Sequence, residues 1–284
     1  MILTGQVFRV HTDRFFVKNA DGEFRCSARA GLKRRGGILV GDFVKFNQSV
    51  IEGVLPRKNR FYRPAVSNVD TLVIVLSESP KPDFLLIDKL VINAICRDLS
   101  IVFVINKCDL LQDLYDTIVK EYSYCNAKIL KVSTNNAQGL DELKELINGK
   151  LALLAGQSAV GKTSIINALF NLELKTGGLS EKIERGKHTT THSEIYYGDN
   201  LKVIDTPGFA VIDSDVTIEE LPDCYPEYFK ASESCKFRGC SHTSEPDCMV
   251  KRLVESGELS QARYQRYIEI YKELKEKRSM YEKY

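Results

Sequence analysis

No apolar run in this chain approaches the ~18 to 20 residues that a helix needs to span a bilayer. Its opening, Met1-Ile2-Leu3-Thr4-Gly5, lacks the basic and apolar regions of a signal peptide. A cytoplasmic protein that touches no membrane is the expectation. Internal repeats and low-complexity tracts are missing too, which sets repeat architectures aside. Histidine is scarce, with four in 284 residues, and eight cysteines in a chain of this size do not make a secreted disulfide scaffold. Five of those cysteines (Cys26, Cys96, Cys108, Cys125 and Cys224) are scattered and read as structural or incidental. The other three, Cys235, Cys240 and Cys248, crowd around one of the four histidines, a metal-binding pattern.

Net charge is small as well, at +2, but it is unevenly spread. Residues 1–63 hold 13 Lys and Arg against 5 Asp and Glu, a balance of +8. The other 221 residues hold 27 against 33, a balance of −6, and the two sum to the total. One end of the chain is therefore suited to a polyanion.

With 43% hydrophobic and 27% charged residues, the chain can bury at least one full core and has room for two or three domains. The first sixty residues hold short strands at 5–10, 14–18, 23–28 and 42–46, separated by turn signals at 19–22 and at Gly36-Gly37. A five-stranded OB-type barrel fits this length. Its phenylalanines (Phe8, Phe15, Phe16, Phe24, Phe43, Phe46) alternate with basic residues. They suit either stacking on bases beside a charged groove or filling the barrel core.

From about residue 64, buried strands (71–76, 101–105, 128–132, 151–155, 201–204) alternate with helices (83–99, 113–124, 141–147 and one from 162). That alternation predicts a mostly parallel sheet covered on both faces. It stops after Gly208. Residues 249–284 are charged and helical, with a break near Ser256-Gly257.

Three motifs carry phosphate and base chemistry. Gly156-Gln157-Ser158-Ala159-Val160-Gly161-Lys162-Thr163, followed by Ser164, matches G-x4-G-K-[ST] between a strand and a helix. Its glycines let backbone N–H groups curl around phosphate oxygens. Lys162 is expected on the β and γ phosphates, and Thr163 on Mg²⁺. Asp205-Thr206-Pro207-Gly208 follows the next strand, so Asp205 can hold Mg²⁺ through water and the Gly208 N–H can meet the γ phosphate. Asn106-Lys107-Cys108-Asp109 ends another buried strand and reads as a guanine selector. The Asp109 carboxylate can accept from N1–H and the 2-amino group, donors that adenine does not offer there. Val132-Ser133-Thr134 suits the supporting guanine loop.

Between phosphate loop and D-x-x-G lies Arg185-Gly186-Lys187-His188-Thr189-Thr190-Thr191-His192, a polar switch segment. Three threonines compete for Mg²⁺, with Thr190 favoured. The residue after D-x-x-G is Phe209, where many GTPases place a water-positioning Gln. Another group must orient the water, and His188 or His192 is a candidate. Slow intrinsic hydrolysis is the expected consequence, accelerated when a partner completes the site; an arginine finger gives roughly 10³ to 10⁵ in such cases. Cys235-x4-Cys240-x-His242-x5-Cys248 offers three thiolates and an imidazole, the closed ligand mix of a structural zinc site.

Motif order separates this chain from most small GTPases. N-K-x-D (106–109) precedes the phosphate loop (156–163), which precedes D-x-x-G (205–208), so the domain is circularly permuted. That order, the OB-like segment, the G-[RK]-H-T-T-T-H run and C-x4-C-x-H-x5-C together resemble the RsgA/YjeQ family of ribosome-associated GTPases. Lys187 and Thr134 depart from the pattern without touching an assigned role.

The resemblance covers nearly the whole chain. It implies an OB-fold RNA-binding domain (1–63), a circularly permuted α/β P-loop GTPase domain (64–212) and a helical zinc-binding domain (213–284). It further implies a monomeric GTP hydrolase, using Mg²⁺ and one structural zinc, that binds the small (30S) ribosomal subunit and its 16S rRNA late in maturation. Hydrolysis would be stimulated by the subunit. A GTP-dependent RNA-binding module with incidental hydrolysis is the alternative. Because the chain runs from Gly208 into the zinc domain, permutation would wire the γ-phosphate sensor to that module.

Overall fold

Alternating buried and exposed side chains build the N-terminal barrel in the computed structural model, which describes residues 2–281 apart from 13, 35–36, 48, 110–112, 175–192 and 206–215. Strands β1 (Leu3–His11), β2 (Arg14–Asn19), β3 (Gly22–Ala28), β4 (Phe43–Asn47) and β5 (Val50–Val54) follow the order β1-β2-β3-β5-β4. Strand β4 pairs back onto β1, which closes the barrel and leaves no free edge among the five. A short helix, α1 (Ala30–Arg34), joins β3 to β4. Phe15 and Phe46 fill the barrel core with Val7, Val17, Val44 and Ile51. Phe8 is buried against the central sheet instead, while Phe43 stays 40% exposed. The sequence expectation of five strands holds, with four of them located; the position of β5 was not given and α1 was not anticipated.

A buried carboxylate fixes the exit from the barrel. Asp42 is fully buried and accepts from Arg57 Nε (2.6 Å), Arg57 Nη2 (2.7 Å), Ser67 Oγ (2.6 Å) and the Leu39 N–H (2.8 Å). A two-stranded clip, β6 (Arg60–Phe61) with β7 (Val66–Ser67), then leads into the central sheet.

That sheet comprises β8 (Thr71–Leu76), β9 (Ser100–Asn106), β10 (Lys128–Val132), β11 (Leu151–Ala155), β12 (Glu194–Gly198) and β13 (Leu201–Asp205), in the order β10-β9-β8-β11-β13-β12. All neighbours are parallel except β12 and β13. Counted from β11 as the first strand, with β8–β10 following β13, the spatial order becomes 6-5-4-1-3-2. The sheet is one arrangement, and the permutation only moves the point where the chain enters it.

Strand β8 shows why the sequence reads as a continuous apolar run. Leu72, Ile74 and Leu76 pack under α2 (Phe84–Ile95) and α3 (Asp113–Tyr122), whereas Val73 and Val75 pack under α4 (Leu140–Ile147) and α5 (Lys162–Phe170). Strand β12 has no counterpart in the sequence expectation. It pairs with β13 on one side and with barrel strand β1 on the other, at Arg9 and Glu194, so barrel and central strands form one 11-stranded sheet.

The C-terminal part is helical, with α6 (Pro226–Ser232), α7 (Met249–Glu255) and α8 (Gln261–Tyr281). The break between the last two falls at Gly257, whose φ of +81° is the left-handed conformation that glycine accepts readily. Tyr225, Tyr228 and Tyr267 form its aromatic centre, and Ile92 from α2 is buried in the same cluster. Of the two readings for the scattered cysteines, the structural one holds for Cys96 and Cys224, which form a disulfide between α2 and the turn 221–224, with Cα atoms 6.1 Å apart. Their 128-residue separation hides the pairing in the sequence. Among the described residues no helix is long and apolar enough to cross a membrane.

Candidate nucleotide site and metal centre

The nucleotide motifs converge at the C-terminal ends of β8, β9 and β11, where the strand order reverses and open α/β sheets form their ligand crevice. Two glycines make the phosphate loop that follows β11. Gly156 has φ +140°, and a Cβ there would lie 2.2 Å from the Val75 carbonyl oxygen. Gly161 has φ +97°, and its Cβ would lie 2.2 Å from Asn106 Nδ2. Neither position admits a side chain, so the loop can close on the adjacent strands. Val160 is buried and anchors the loop, while Ser158 and Ala159 are exposed. Thr163 and Ser164 lie in the first turn of α5, whose free N–H groups point into the loop.

Base loop and phosphate loop are stitched together by side chains. Asn106 is buried, and its Nδ2 donates to the Val160 carbonyl (2.8 Å). Lys107, at φ +60°, spreads its ammonium between the Ser79 carbonyl (2.8 Å) and the Ala159 carbonyl (3.0 Å). Gln157 ties the same loop from the other side, accepting from the Asp83 N–H (3.0 Å) and donating to the Lys81 carbonyl (3.2 Å). The Cys108 N–H donates to the Val132 carbonyl (3.2 Å), which sets the base loop against the end of β10.

Asp109 is exposed, with its carboxyl held below the usual range by hydrogen bonds from Ser133 and Asn135. Asn135 Nδ2 lies 3.0 Å from Asp109 Oδ2, and the Asn135 N–H donates to Ser133 Oγ (3.3 Å). Asn135 was missed in the sequence; only its place two residues beyond Ser133 could have flagged it. Thr134 beside it is half-buried.

Lys162 Nζ donates to the Gly156 and Gln157 carbonyls (2.8 and 2.7 Å), so it folds back over the loop. Burial lowers its pKa, and the Asp205 carboxylate opposes that shift. A polyanion in the loop would offset the burial penalty on this ammonium. Asp205 ends β13 on the same side of the sheet. Gly208, Phe209, His188, Thr190 and His192 lie outside the described residues.

The second site brings together all four predicted metal ligands. Donor atoms of Cys235, Cys240, His242 and Cys248 lie within 4.8 Å of one another, and all but Cys235 are buried. His242 Nδ1 is 3.4 Å from Cys248 Sγ and 3.8 Å from Cys235 Sγ. Tetrahedral bonds of about 2.0 to 2.3 Å put neighbouring ligand atoms roughly 3.5 to 3.8 Å apart, so the set fits a closed metal site bound through Nδ1. Burial pushes the Cys240 thiol up to about 12, with the neighbouring sulfurs adding to it, and a bound cation would reverse that. Burial also holds His242 below its usual pKa, in the neutral form that ligates.

The ligand loop is braced by its neighbours. The Met249 N–H points at Cys235 Sγ (3.3 Å), and Tyr264 and Tyr267 donate to the His242 and Ser241 carbonyls (2.8 and 2.5 Å). Glu245 is partly buried, yet hydrogen bonds from Ser241 and Thr243 hold its carboxyl at about 2.

Comparison with known proteins finds relatives over nearly the whole chain. The family described as RsgA GTPase matches residues 54–215. "Small ribosomal subunit biogenesis GTPase RsgA" of Ruminiclostridium cellulolyticum is 38% identical, over 92% of this chain and 90% of that protein. The protein of the same name from Agathobacter rectalis is 40% identical, over 89% and 88%. Among solved structures, YjeQ from Thermotoga maritima superposes with a TM-score of 0.78 at 34% identity, covering 96% of this chain and 99% of that one. YloQ, described as a circularly permuted GTPase, gives 0.74 at 29%, covering 98% and 96%. With its permuted sheet, its stitched phosphate and base loops and its Cys₃His cluster, the chain belongs to the RsgA GTPase family.

Proposed function

We propose that this GTPase acts in late maturation of the small ribosomal subunit, binding the 30S particle and its 16S rRNA and hydrolysing GTP when the particle stimulates it. The observation that carries the reading is the stitching of the guanine selector to the phosphate loop by Asn106 and Lys107. It ties the loop that would hold the base to the loop that would hold the phosphates. Loops held in register in this way bind one nucleotide at a lower ordering cost.

In this reading residues 1–63 grip rRNA, 64–212 bind and hydrolyse GTP, and 213–284 form a zinc-bound second grip. Asn106 to Asp109, with Ser133 and Thr134, would hold guanine. Residues 156–164 would wrap the phosphates, with Lys162 neutralising them. Thr163, Thr190 and Asp205 would hold Mg²⁺, which supplies charge neutralisation at the phosphates when bound. The Gly208 N–H would meet the γ phosphate and His188 would orient water. The protein would work as a cytoplasmic monomer.

Steady-state GTP turnover of the purified chain, measured with and without purified small subunits, tests this function. A rise of at least about tenfold on adding subunits is expected, and an unchanged rate would reject the reading. Metal analysis is expected to find one zinc per chain, lost on Cys240→Ser; a folded, metal-free wild-type protein would remove zinc from the account.

A further inference from the structure

Two cysteines outside both sites meet at the seam between the central sheet and the C-terminal helices. Cys96 follows the last turn of α2 and is exposed, whereas Cys224, in the turn 221–224, is only 3% exposed. Their Cα separation of 6.1 Å lies inside the span that a disulfide bridges without moving backbone, about 4.4 to 6.8 Å. The folded seam therefore presents the pair ready to join. If the protein works in the cytoplasm, as the proposed function has it, a single bridge has the character of a redox-responsive element, not of a scaffold.

We propose that Cys96 and Cys224 form a reversible thiol–disulfide modification site whose oxidation staples the C-terminal helices onto α2. The co-reactant is a low-molecular-weight thiol and its disulfide. In oxidation, the Cys96 thiolate attacks the small disulfide and releases one thiolate. Cys224 then attacks the mixed disulfide on Cys96, loses its proton to solvent and releases the second. Two protein thiols and one small disulfide thus give one protein disulfide and two small thiols. Reduction runs the same steps backwards, starting at the exposed Cys96 sulfur; the Cys224 thiol regains its proton from solvent and can donate it in a hydrogen bond to the Glu220 carbonyl, 3.3 Å from Cys224 Sγ.

Three features make this pair distinct from the other cysteines. Burial raises the thiols of Cys26 and Cys108 and pushes that of half-buried Cys125 up to about 11, which makes all three poor nucleophiles. Cys235, Cys240 and Cys248 are grouped as metal ligands. Only the Cys96–Cys224 bond also crosses a seam that holds without it: Ile92 is buried in the C-terminal core, and Asp88, one turn earlier on α2, accepts from Arg263 and Arg266 of α8. The reduced protein should fold, and oxidation should change only how readily the two parts separate.

The test uses the full chain equilibrated at a series of reduced-to-oxidised glutathione ratios, then acid-quenched, alkylated and peptide-mapped without reduction. A Cys96–Cys224 linkage that appears at oxidising ratios and disappears at reducing ones is expected. Amide exchange over 84–96 and 221–232 should be at least about tenfold slower in the linked form. Cys96→Ala, at an exposed position, should exchange at the reduced rate under every ratio. Both thiols alkylated at every ratio would overturn the proposal, as would a linkage that leaves exchange unchanged. No nucleotide or ribosome enters the experiment, so its failure would not touch the proposed function.

Discussion

The central sheet meets its two neighbours through seams of opposite character. On the barrel side, β1 and β12 share a single registered pair, Arg9 with Glu194, supported by a half-exposed ion pair at 3.3 Å and by Phe8 of β1 packed edge-on to Tyr197 of β12. On the C-terminal side, Asp88 is buried and accepts from Arg263 Nη1 (2.8 Å), Arg266 Nε (2.5 Å) and Tyr122 OH (2.8 Å). Arg263 also donates to Glu227 (2.5 Å) and Arg266 to Glu121 (2.5 Å). One seam is a backbone ladder that tolerates adjustment; the other is a charge network that holds one geometry or none. The rigid seam is also the one connected to the nucleotide site. Asp83 caps α2 through its carboxylate, and its own N–H is held by Gln157 of the phosphate loop. Helix α2 thus runs from the phosphate loop at one end to the C-terminal helices along its flank, a second route beside the covalent connector after Gly208.

The largest test of this contrast is Asp88→Ala. Burial works against the Arg263 charge, but Asp88 and Glu227 outweigh it and hold the guanidinium well above its usual pKa. Removing Asp88 leaves two buried or half-buried cations short of an anion, a loss of about 3 to 5 kcal/mol. Denaturant unfolding should show it, with the C-terminal helices melting first. A loss below about 1 kcal/mol would put the two seams on a par.

Gln157→Ala is expected to have an intermediate effect. It removes two neutral hydrogen bonds between phosphate loop and the loop before α2, worth together about 1 to 2 kcal/mol. Nucleotide binding should weaken about five- to thirtyfold, and the protection that GDP confers on amides 84–96 should fall. Unchanged protection of α2 would mean the rigid seam does not sense the nucleotide.

What was legible in the sequence follows the same contrast between local and distant causes. The phosphate loop could be read because Gly156 and Gly161 must be glycine for reasons confined to that turn. The metal ligands could be read because all four lie within fourteen residues. Strand β8 could be read because both its faces are covered. Strand β12 could not: Glu194-Ile-Tyr-Tyr-Gly198 is mostly half-buried, and its barrel partner lies 185 residues away. Asn135 was missed because its contribution is to aim Asp109, 26 residues earlier, and orientation leaves no composition signal. Nothing local marks Asp88, and only the fold brings its partners from α8.

The smallest effect is expected from Arg9→Ala, and it is the sharpest probe of the adaptable seam. Burial raises the pKa of Glu194, and Arg9, although it lowers it, does not cancel the rise. The pair is therefore no strong anchor. Arg9 also lies over the Phe16 ring at 4.2 Å, a contact worth about 0.5 to 1 kcal/mol at an exposed site. Together with a surface ion pair of about 0 to 1 kcal/mol, this predicts a stability loss near 1 kcal/mol in denaturant titrations. Hydrogen exchange at 194–198 should nevertheless quicken, because the ladder between β1 and β12 is a single pair wide and Arg9 flanks it. A loss comparable to that of Asp88→Ala would mean the barrel is locked to β12 as firmly as α8 is to α2, and the two seams would then differ only in chemistry.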